Sequence, residues 1–555
     1  MSFHPQKNFV QLFEESFKQN WNRPAYTDYG TDYTLSYGDV ATLVEKIHLI
    51  FKQCGIKKDD RIALIGRNSA NWCVTYVATI TYGAVIVPIL QDFIGSDVQR
   101  ILQHSESKLL FTADYKWKEL DPEQLGDVEA VFSLTRFEPI LCIDSKLDIN
   151  DFRPENIQKL FDAKWQNGFT ADDVKYEWKD NEEMAVLSYT SGTTGNSKAV
   201  MSPGRAMAAN AEFGEYLHIL YPEDRMVTFL PLAHAYGCAF DFLGNTASGG
   251  HTYLITTTPV PKILLKAFAE IRPTLILSVP LIIEKVYRQQ VAPKLQKAPL
   301  KQLIRIPGIN KLIYGKIRKQ LVEAFGGEFY EFIIGGAAMN PEIEDFFHKI
   351  NFPFTIGYGM TETAPLISYS DWKTFVPQSC GRVMDNMEAR VDKPDKNGLG
   401  EIVVRGQHTM LGYYKNEEAT QNAFTKDGWL RTGDLGTIDD KGNIFIKGRC
   451  KTMLLGPSGQ NIFPEEIEDV LNNLPYVAES IVVQRDNKLI ALIVPNAMQV
   501  KAEKINETDL AAKFEELRKE ANRHLPSYEQ IVAVEIQKEE FKKTPKNSIK
   551  RYLYS

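Results

Sequence analysis

The chain has 555 residues, 44% of them hydrophobic and 24% charged, with a formal net charge of −7 and a pI near 5.9. That length exceeds what one hydrophobic core organises, so two or more domains are expected, and the mild acidity excludes a nucleic-acid-binding protein as the default reading. Six cysteines (Cys54, Cys73, Cys142, Cys238, Cys380 and Cys450) lie far apart with no C-x-x-C pair, a pattern of reduced thiols in a cytosolic enzyme that excludes a disulfide framework or a zinc site.

The N-terminal stretch MSFHPQKNFVQLFEESF lacks the apolar core of a signal peptide. Residue spacing predicts a helix over Phe9–Lys18, short strands around Tyr26 and Thr34, and a helix over Tyr37–Gln53. DRIALIG, a helix near Trp72–Thr81 and AVIVPIL then set up the strand–helix–strand rhythm of a parallel sheet, which LLFTA and AVFSL continue. Trp72–Leu90 is the longest uncharged run, but three threonines, Gly83 and Pro88 interrupt it. It reads as a buried helix, a turn and a strand, and no transmembrane segment is predicted. The polar segment Asp144–Asp180 reads as an irregular surface excursion.

MAVLSY is a short strand that runs into YTSGTTGNSKAV. There Thr190, Ser191, Thr193, Thr194 and Ser197 surround Gly192 and Gly195, and the stretch closes on Lys198. Glycines let backbone N–H groups turn toward an anion without a Cβ in the way. The hydroxyls add donors and the lysine a mobile positive charge, an inventory that suits a polyphosphate. The plainer alternative is a polar surface turn, and the density of donors favours phosphate. The spacing is not that of a Walker loop, G-x-x-x-x-G-K-S/T.

Downstream, VTFLPLAHAYG, HTYLI, TLILSVP and EFIIGGAAM are apolar strands that each enter a Gly- or Pro-bearing turn, and FPFTIGYGMTETAP is another strand entering a polar loop. In open α/β sheets such strand ends line the ligand crevice. From about Cys380 to Gly448 the texture is β-rich with Asp, Asn and Gly turns. The last hundred residues read as a small α+β domain. Its parts are a helix at Pro464–Leu471 with Pro at its first position and acids in its first turn, a hairpin around Asp486-Asn487, and a charged helix over Asp509–His524. The expected architecture is α/β: a large N-terminal domain (1–449) of parallel-sheet subdomains plus a β-rich subdomain, then a small mobile α+β C-terminal domain (450–555).

Together with FLPLAHAYG (His234), IIGGAAM, GYGMTET, TGDLG (Asp434) and GRCK (Arg449 and Lys451), the phosphate stretch resembles, in order and spacing, the signature of the adenylate-forming (AMP-binding) superfamily. The LPLAHAYG, SVPLIIEKVY and LLGPSGQNIFPEEIE segments are most similar to bacterial long-chain fatty acyl-CoA synthetases. The resemblance implies a Mg²⁺- and ATP-dependent ligase that forms an acyl-adenylate and then transfers the acyl group to the thiol of coenzyme A. By motif position it implies that Thr190, Ser191, Gly192, Thr193, Thr194, Gly195 and Lys198 hold the β- and γ-phosphates. Glu362, with Thr190, would bind Mg²⁺. Tyr358 would stack on adenine opposite Gly336 and Ala337, with Gly359 and Met360 in the same nucleotide-binding stretch, and Thr361 would contact the α-phosphate. Asp434 would accept the ribose hydroxyls with help from Arg449, His234 would stand at the mouth of the acyl site, and Lys451 would be the hinge of the small domain.

Two positions depart from the pattern. Ala199 stands where the family has glycine, and Ser548 stands where the family's C-terminal signature has its adenylation lysine. Lys546 and Lys550 flank Ser548, and Lys550 is the preferred substitute because Ile549 and Tyr552 beside it can anchor that end. The expected partners are a fatty acid and CoA, with no nucleic acid, in the cytoplasm and with peripheral membrane contact left open; the sequence does not fix an oligomeric state. Two other readings stay open: transfer to an acyl-carrier-protein thiol, and a non-catalytic acyl- or nucleotide-binding protein that has lost its lysine.

Overall fold

The strand Arg61–Ile65 explains the main sheet. Its residues alternate between two hydrophobic cores, Ile62 and Leu64 packing into one and Ala63 and Ile65 into the other. Val85, Val87 and Ile89 are divided from Ile86, and Leu110 from Leu109 and Phe111, in the same way. Strands covered on both faces carry continuous apolar runs, which is the texture of a buried parallel sheet. Eight strands result, in the order 412–413, 198–203, 184–190, 85–89, 61–65, 107–112, 130–133, 139–142. The central pairings are parallel, and the hairpin of Met184–Thr190 with Lys198–Pro203 is antiparallel.

The computed structural model describes residues 7–190, 198–217, 219–295, 302–455, 461–486, 488–544 and 548–554. Within them the chain divides into two units, one of 7–190, 198–388 and 405–428, the other of 389–404 and 429–554.

In the first unit all residues of the helix Ala70–Thr81 are buried, its threonines included. They are tolerated because each hydroxyl donates back along the helix, Thr75 to Asn71 O at 2.8 Å, Thr79 to Thr75 O at 2.9 Å and Thr81 to Val77 O at 2.7 Å. The turn at Gly83 and the strand Val85–Ile89 follow, as the sequence predicts. A second sheet runs 225–228, 251–254, 24–28, 34–36, and a third, all parallel, runs 275–278, 331–334, 354–356. The strand expected over Val227–Gly237 is shorter, Arg225–Thr228, and a π-helical segment, Gly237–Gly244, begins where it was expected to end. The excursion Asp144–Asp180 is not wholly irregular. Pro154 starts a helix, Pro154–Lys164, whose Ile157 and Phe161 are buried, and the polar residues that make up most of its other positions hide that stripe.

The second unit opens on β-rich chain, with the antiparallel strands Leu430–Ile438 and Ile444–Arg449 paired. Its last hundred residues form the expected α+β layer. The helix Pro464–Asn472 has Pro at its start, and Val477–Arg485 pairs with Lys488–Pro495 through the tight turn at Asp486. Ile531–Ile536 adds a parallel third strand, and the helix Glu507–Asn522 packs Phe514 and Leu517 into their common core.

Candidate active site

The stretch read as a phosphate site begins and ends on the hairpin of Met184–Thr190 with Lys198–Pro203. Thr190 and Lys198 are its last paired residues, and the Thr190 hydroxyl donates to Lys198 O at 3.3 Å. Ser191, Gly192, Thr193, Thr194 and Gly195 lie outside the described residues. Beside Thr190, the Tyr189 hydroxyl meets His104 Nδ1 at 2.7 Å, which ties the foot of the hairpin to the helix Gly95–Ser105.

Lys198 leads to a residue that the sequence reading missed. Its Nζ lies 4.4 Å from the centroid of the Tyr413 ring. Tyr413 sits on the short strand Gly412–Tyr413 at the edge of the main sheet, opposite Val200. Its hydroxyl donates to Glu362 Oε1 at 2.8 Å, and the Met410 amide donates to Glu362 O at 2.9 Å. Burial, together with the neighbouring Glu362 charge, pushes the Tyr413 phenol well above its ordinary value. It therefore remains an O–H donor at any working pH. One ring thus links the closing lysine of the phosphate hairpin to the carboxylate of GYGMTET. The only sequence signal was two adjacent tyrosines in LGYYKN, with nothing to show which strand they would join.

The GYGMTET stretch is held tightly. Tyr358–Gly359 pairs with Leu366–Tyr369, and a Cβ on Gly359 would lie 1.9 Å from Pro365 O, so only glycine fits. Thr361–Thr363 is a single 3₁₀ turn, inside which the buried Thr363 hydroxyl donates to Met360 O at 3.0 Å. Fully buried Asn210 clamps the turn from the helix Gly204–Tyr216, accepting from Leu366 N at 3.2 Å and donating to Thr363 O at 3.4 Å. Fully buried His408 donates from Nδ1 to Leu366 O at 2.6 Å and accepts from Asn386 Nδ2 at 2.9 Å. Burial lowers its pKa to about 4.

Gly336 follows the strand Glu331–Ile334 with a φ of +83°, a conformation that favours glycine, and Ala337 comes next. The Tyr236 hydroxyl donates to Ile333 O at 3.1 Å, so the chain just after His234 packs against the end of that strand. A small cavity brings the two motifs together. Ala233 and Ala235, on either side of His234, line it with Thr361, Ala364, Ser188 and Cys238. One turn further on, Asp241 is 1% exposed and neither carboxylate oxygen has a hydrogen-bond partner among the described residues; burial pushes its pKa far up.

In the second unit Asp434 and Arg449 are cross-strand partners, with Arg449 Nε 3.0 Å from Asp434 Oδ1. The Asp434 amide donates to the Thr432 hydroxyl at 3.1 Å, and that hydroxyl donates to Ile402 O at 2.7 Å, so the aspartate is fixed from its own strand. Lys451 is exposed in a turn closed by the Thr452 and Met453 amides on Arg449 O, at 3.2 and 3.1 Å.

At the C-terminus Lys543 pairs with Ile549, the Lys550 amide donates to Lys542 O at 2.8 Å, Ser548 is exposed and Lys550 half-buried. Lys546 lies outside the described residues. Ile549 packs into a core cluster as expected, but Tyr552 is 48% exposed and anchors nothing. The anchors are Arg551, paired with buried Glu468 at 2.6 Å, and Tyr554, whose hydroxyl accepts from Lys542 N at 2.8 Å and whose ring meets Phe541 at 5.1 Å. Arg551 reaches a buried carboxylate through two N–H groups, whereas Tyr552, the next residue, faces outward.

The family model for AMP-binding enzymes matches residues 13–414, and the model for the AMP-binding enzyme C-terminal domain matches residues 452–554. The chain belongs to the AMP-binding enzyme family. Relatives in this family include the long-chain-fatty-acid–CoA ligase heimdall of Drosophila melanogaster, 26% identical over 88% of this chain and 76% of that protein. The long-chain-fatty-acid–CoA ligase FadD15 of Mycobacterium bovis is 27% identical over 79% of this chain and 73% of its own length. Among solved structures, ATP-bound MatB from Rhodopseudomonas palustris superposes with a TM-score of 0.75 at 21% identity, covering 99% of this chain and 98% of its own. The anthranilate CoA ligase AuaEII in complex with anthranoyl-AMP gives 0.77 at 18% identity, covering 99% and 96%. These likenesses establish the fold of the family: mixed α/β with parallel sheets and a separate C-terminal domain.

Proposed function

We propose that the chain is an AMP-forming acid–thiol ligase that activates a fatty acid with ATP and passes the acyl group to coenzyme A. The observation that carries this is the extended similarity to long-chain-fatty-acid–CoA ligases, with both family segments present in order. A carboxylate is a poor electrophile because its leaving group would be oxide. Attack of its oxygen on the α-phosphorus, with release of pyrophosphate, makes AMP the leaving group for the thiol. Both steps build negative charge that fixed donors must stabilise.

In this reading the hairpin tip Thr190–Lys198 holds the outer phosphates, Tyr358, Gly336 and Ala337 take the adenine with Gly359 and Met360 beside them, and Thr361 takes the α-phosphate. Asp434 and Arg449 take the ribose, and His234 serves the reacting carboxylate from beside the cavity that Thr361 also lines. The residues fit Mg²⁺ bound with a nucleotide. Glu362 is a carboxylate held near the phosphate hairpin through Tyr413, and among the described residues no cluster of three or more acids, histidines or cysteines forms a closed metal cage. Mg²⁺ characteristically takes one or two carboxylates and fills its remaining positions with phosphate oxygens and water. When bound, it would neutralise charge on the phosphates.

The domain boundary we propose falls at 449/450, supported by the C-terminal family model beginning at residue 452. Among the described residues no helix is long and apolar enough to cross a membrane, and we propose peripheral contact instead. Pyrophosphate release on adding palmitate and ATP tests the ligase, and a binding protein would release none. Supplying CoA or acyl carrier protein after that step separates the two thiol acceptors.

A further inference from the structure

One face of the first unit has a charge opposite to that of the whole chain. Residues 281–295 and 302–324 carry eight basic side chains against two acids, Glu284 and Glu323, in a protein whose net charge is −7. Glu284 is turned inward, accepting from the Asn340 amide at 2.8 Å. The segment forms helical turns from Pro280 to Leu295 and the helix Ile309–Ala324. Both parts rest on the helix Pro341–Lys349, since Phe346 meets the Tyr287 ring at 5.0 Å and the Tyr314 ring at 6.3 Å. Their inner sides are thereby fixed against one helix, and their exposed side chains form the outer surface of these parts.

That surface is cationic and apolar at once. Lys285, Lys294, Arg305, Lys311, Lys316 and Lys319 are exposed on it. Leu281 (63%), Leu303 (39%), Ile306 (45%) and Leu312 (77%) are exposed among them. Lys319 has Glu323 at 3.9 Å, whereas Lys285, Arg305, Lys311 and Lys316 have no carboxylate in ion-pair contact among the described residues. On the helix Ile309–Ala324, Leu312, Lys316 and Lys319 follow each other at spacings of four and three, so one leucine stands within a lysine row. Exposed leucine and isoleucine inside a ring of lysine and arginine is the composition of a surface that lies in a lipid interface, with cations at the headgroups and apolar tips below them.

We infer that this face docks the protein on an anionic lipid bilayer. The charges on the page select the partner: unpaired lysines and an arginine attract phosphate headgroups, and the protruding Leu281, Ile306 and Leu312 have no use for a purely polar polyanion. The inference rests on the peripheral contact proposed above. Its readout is lipid binding without catalysis, so a failed ligase assay and failed docking are separate results.

The test is co-sedimentation of the full chain with vesicles of phosphatidylcholine, with and without phosphatidylserine, at low and raised salt. Binding is expected on the anionic vesicles only, weakening as salt screens the charges. Each basic group near an anionic surface contributes about fivefold, so Lys285→Gln/Arg305→Gln/Lys311→Gln/Lys316→Gln should reduce partitioning by about a hundredfold or more. Leu312→Ser, with every charge intact, should reduce it by roughly fivefold. Both variants should activate detergent-dispersed palmitate at the native rate, which also shows that they fold. The inference is overturned if native protein ignores anionic vesicles, or if the four-glutamine variant binds them as well as native protein does. Binding to acyl carrier protein that the four substitutions abolish, without vesicle binding, would reassign the face to an acidic protein partner.

Discussion

Tyr413→Phe replaces the phenol hydroxyl with hydrogen and leaves the ring in place. The lost bond is a 2.8 Å donation to Glu362, and hydrogen bonds to charged acceptors contribute about 1.5–3 kcal/mol. Glu362 is only half-buried, so water recovers part of that, and the lower end applies: a loss of about tenfold to thirtyfold in adenylation. Tyr413→Leu also deletes the ring 4.4 Å from Lys198 Nζ, and a cation–π contact adds about 0.5–2 kcal/mol. The leucine variant should therefore be worse than the phenylalanine variant by at least a further factor of about two. The assay is ATP–pyrophosphate exchange with palmitate as Mg²⁺ is varied, beside CoA capture of synthetic palmitoyl-AMP. Tyr413→Phe should raise the Mg²⁺ concentration giving half-maximal exchange and leave capture unchanged. Because the phenol stays protonated throughout, the deficit should be the same at pH 7 and pH 9. Native exchange at limiting Mg²⁺, or equal losses in exchange and capture, would refute the link between Tyr413 and Glu362.

Glu362→Gln should cut adenylation by about 10²–10³ with the melting temperature unchanged, and a variant of near-native activity removes Glu362 from the mechanism. Lys451→Pro fixes φ near −65° in a turn whose hydrogen bonds come from Thr452 and Met453; it should slow thioester formation more than adenylation, and equal losses count against a hinge there. Lys550→Ala should lower pyrophosphate exchange and Ser548→Lys should raise it, while capture of preformed palmitoyl-AMP holds steady in both. Lys546→Ala and Lys550→Ala both exchanging at the native rate would mean that neither lysine replaces the one missing at position 548. His408 is held down to about 4 in the fold against about 6.5 when unfolded, so its contribution is intact above pH 6.5 and is lost as pH falls toward 4; at pH 5 the cost is about 2 kcal/mol. Thermal melts at pH 7 and 5 should show a smaller acid-induced drop for His408→Gln than for native protein, and an identical drop would exclude His408 as the acid-sensitive group.

The fold was legible wherever local pattern and tertiary demand agree. The helix over Trp72–Thr81 could be read through its threonines because a helix lets each hydroxyl bond its own backbone. The Asp486-Asn487 hairpin was legible because Asp486 takes a positive φ that its short side chain tolerates. Reading failed at Pro154–Lys164, where Ile157 and Phe161 are the only buried side chains and Leu160 beside them is exposed among mostly polar positions. It failed again after Thr228, where an unbroken apolar run continued the strand pattern while the chain turned into helix. Apolar composition reports burial, and over a few residues it does not report period.

The site divides along a similar line. Candidate ligand groups carried on one short stretch, such as the donors between Thr190 and Lys198 or the turn Thr361–Thr363, announce themselves because the chemistry is written in consecutive residues. Groups that hold those stretches in place come from elsewhere: Asn210 reaches the turn from a distant helix, His408 pins Leu366 O, and Tyr413 joins the sheet edge opposite Val200. None belongs to the motif it serves, and a tyrosine or asparagine taken alone is more often plain core. What distinguishes Tyr413 is that register places it between a cation and a carboxylate that the chain separates by 164 positions. The same reasoning bears on Ser548. The chain around it is fixed by Arg551 on Glu468 and by the Lys543–Ile549 bridge, with Ser548 exposed and Lys550 bound through its amide to Lys542 O. That bond commits the Lys550 backbone, and its ammonium has no carboxylate in ion-pair contact among the described residues. A cation for adenylation then has to come from a side chain reaching past a fixed backbone, at a cost in rotamer entropy that a lysine at position 548 itself would avoid.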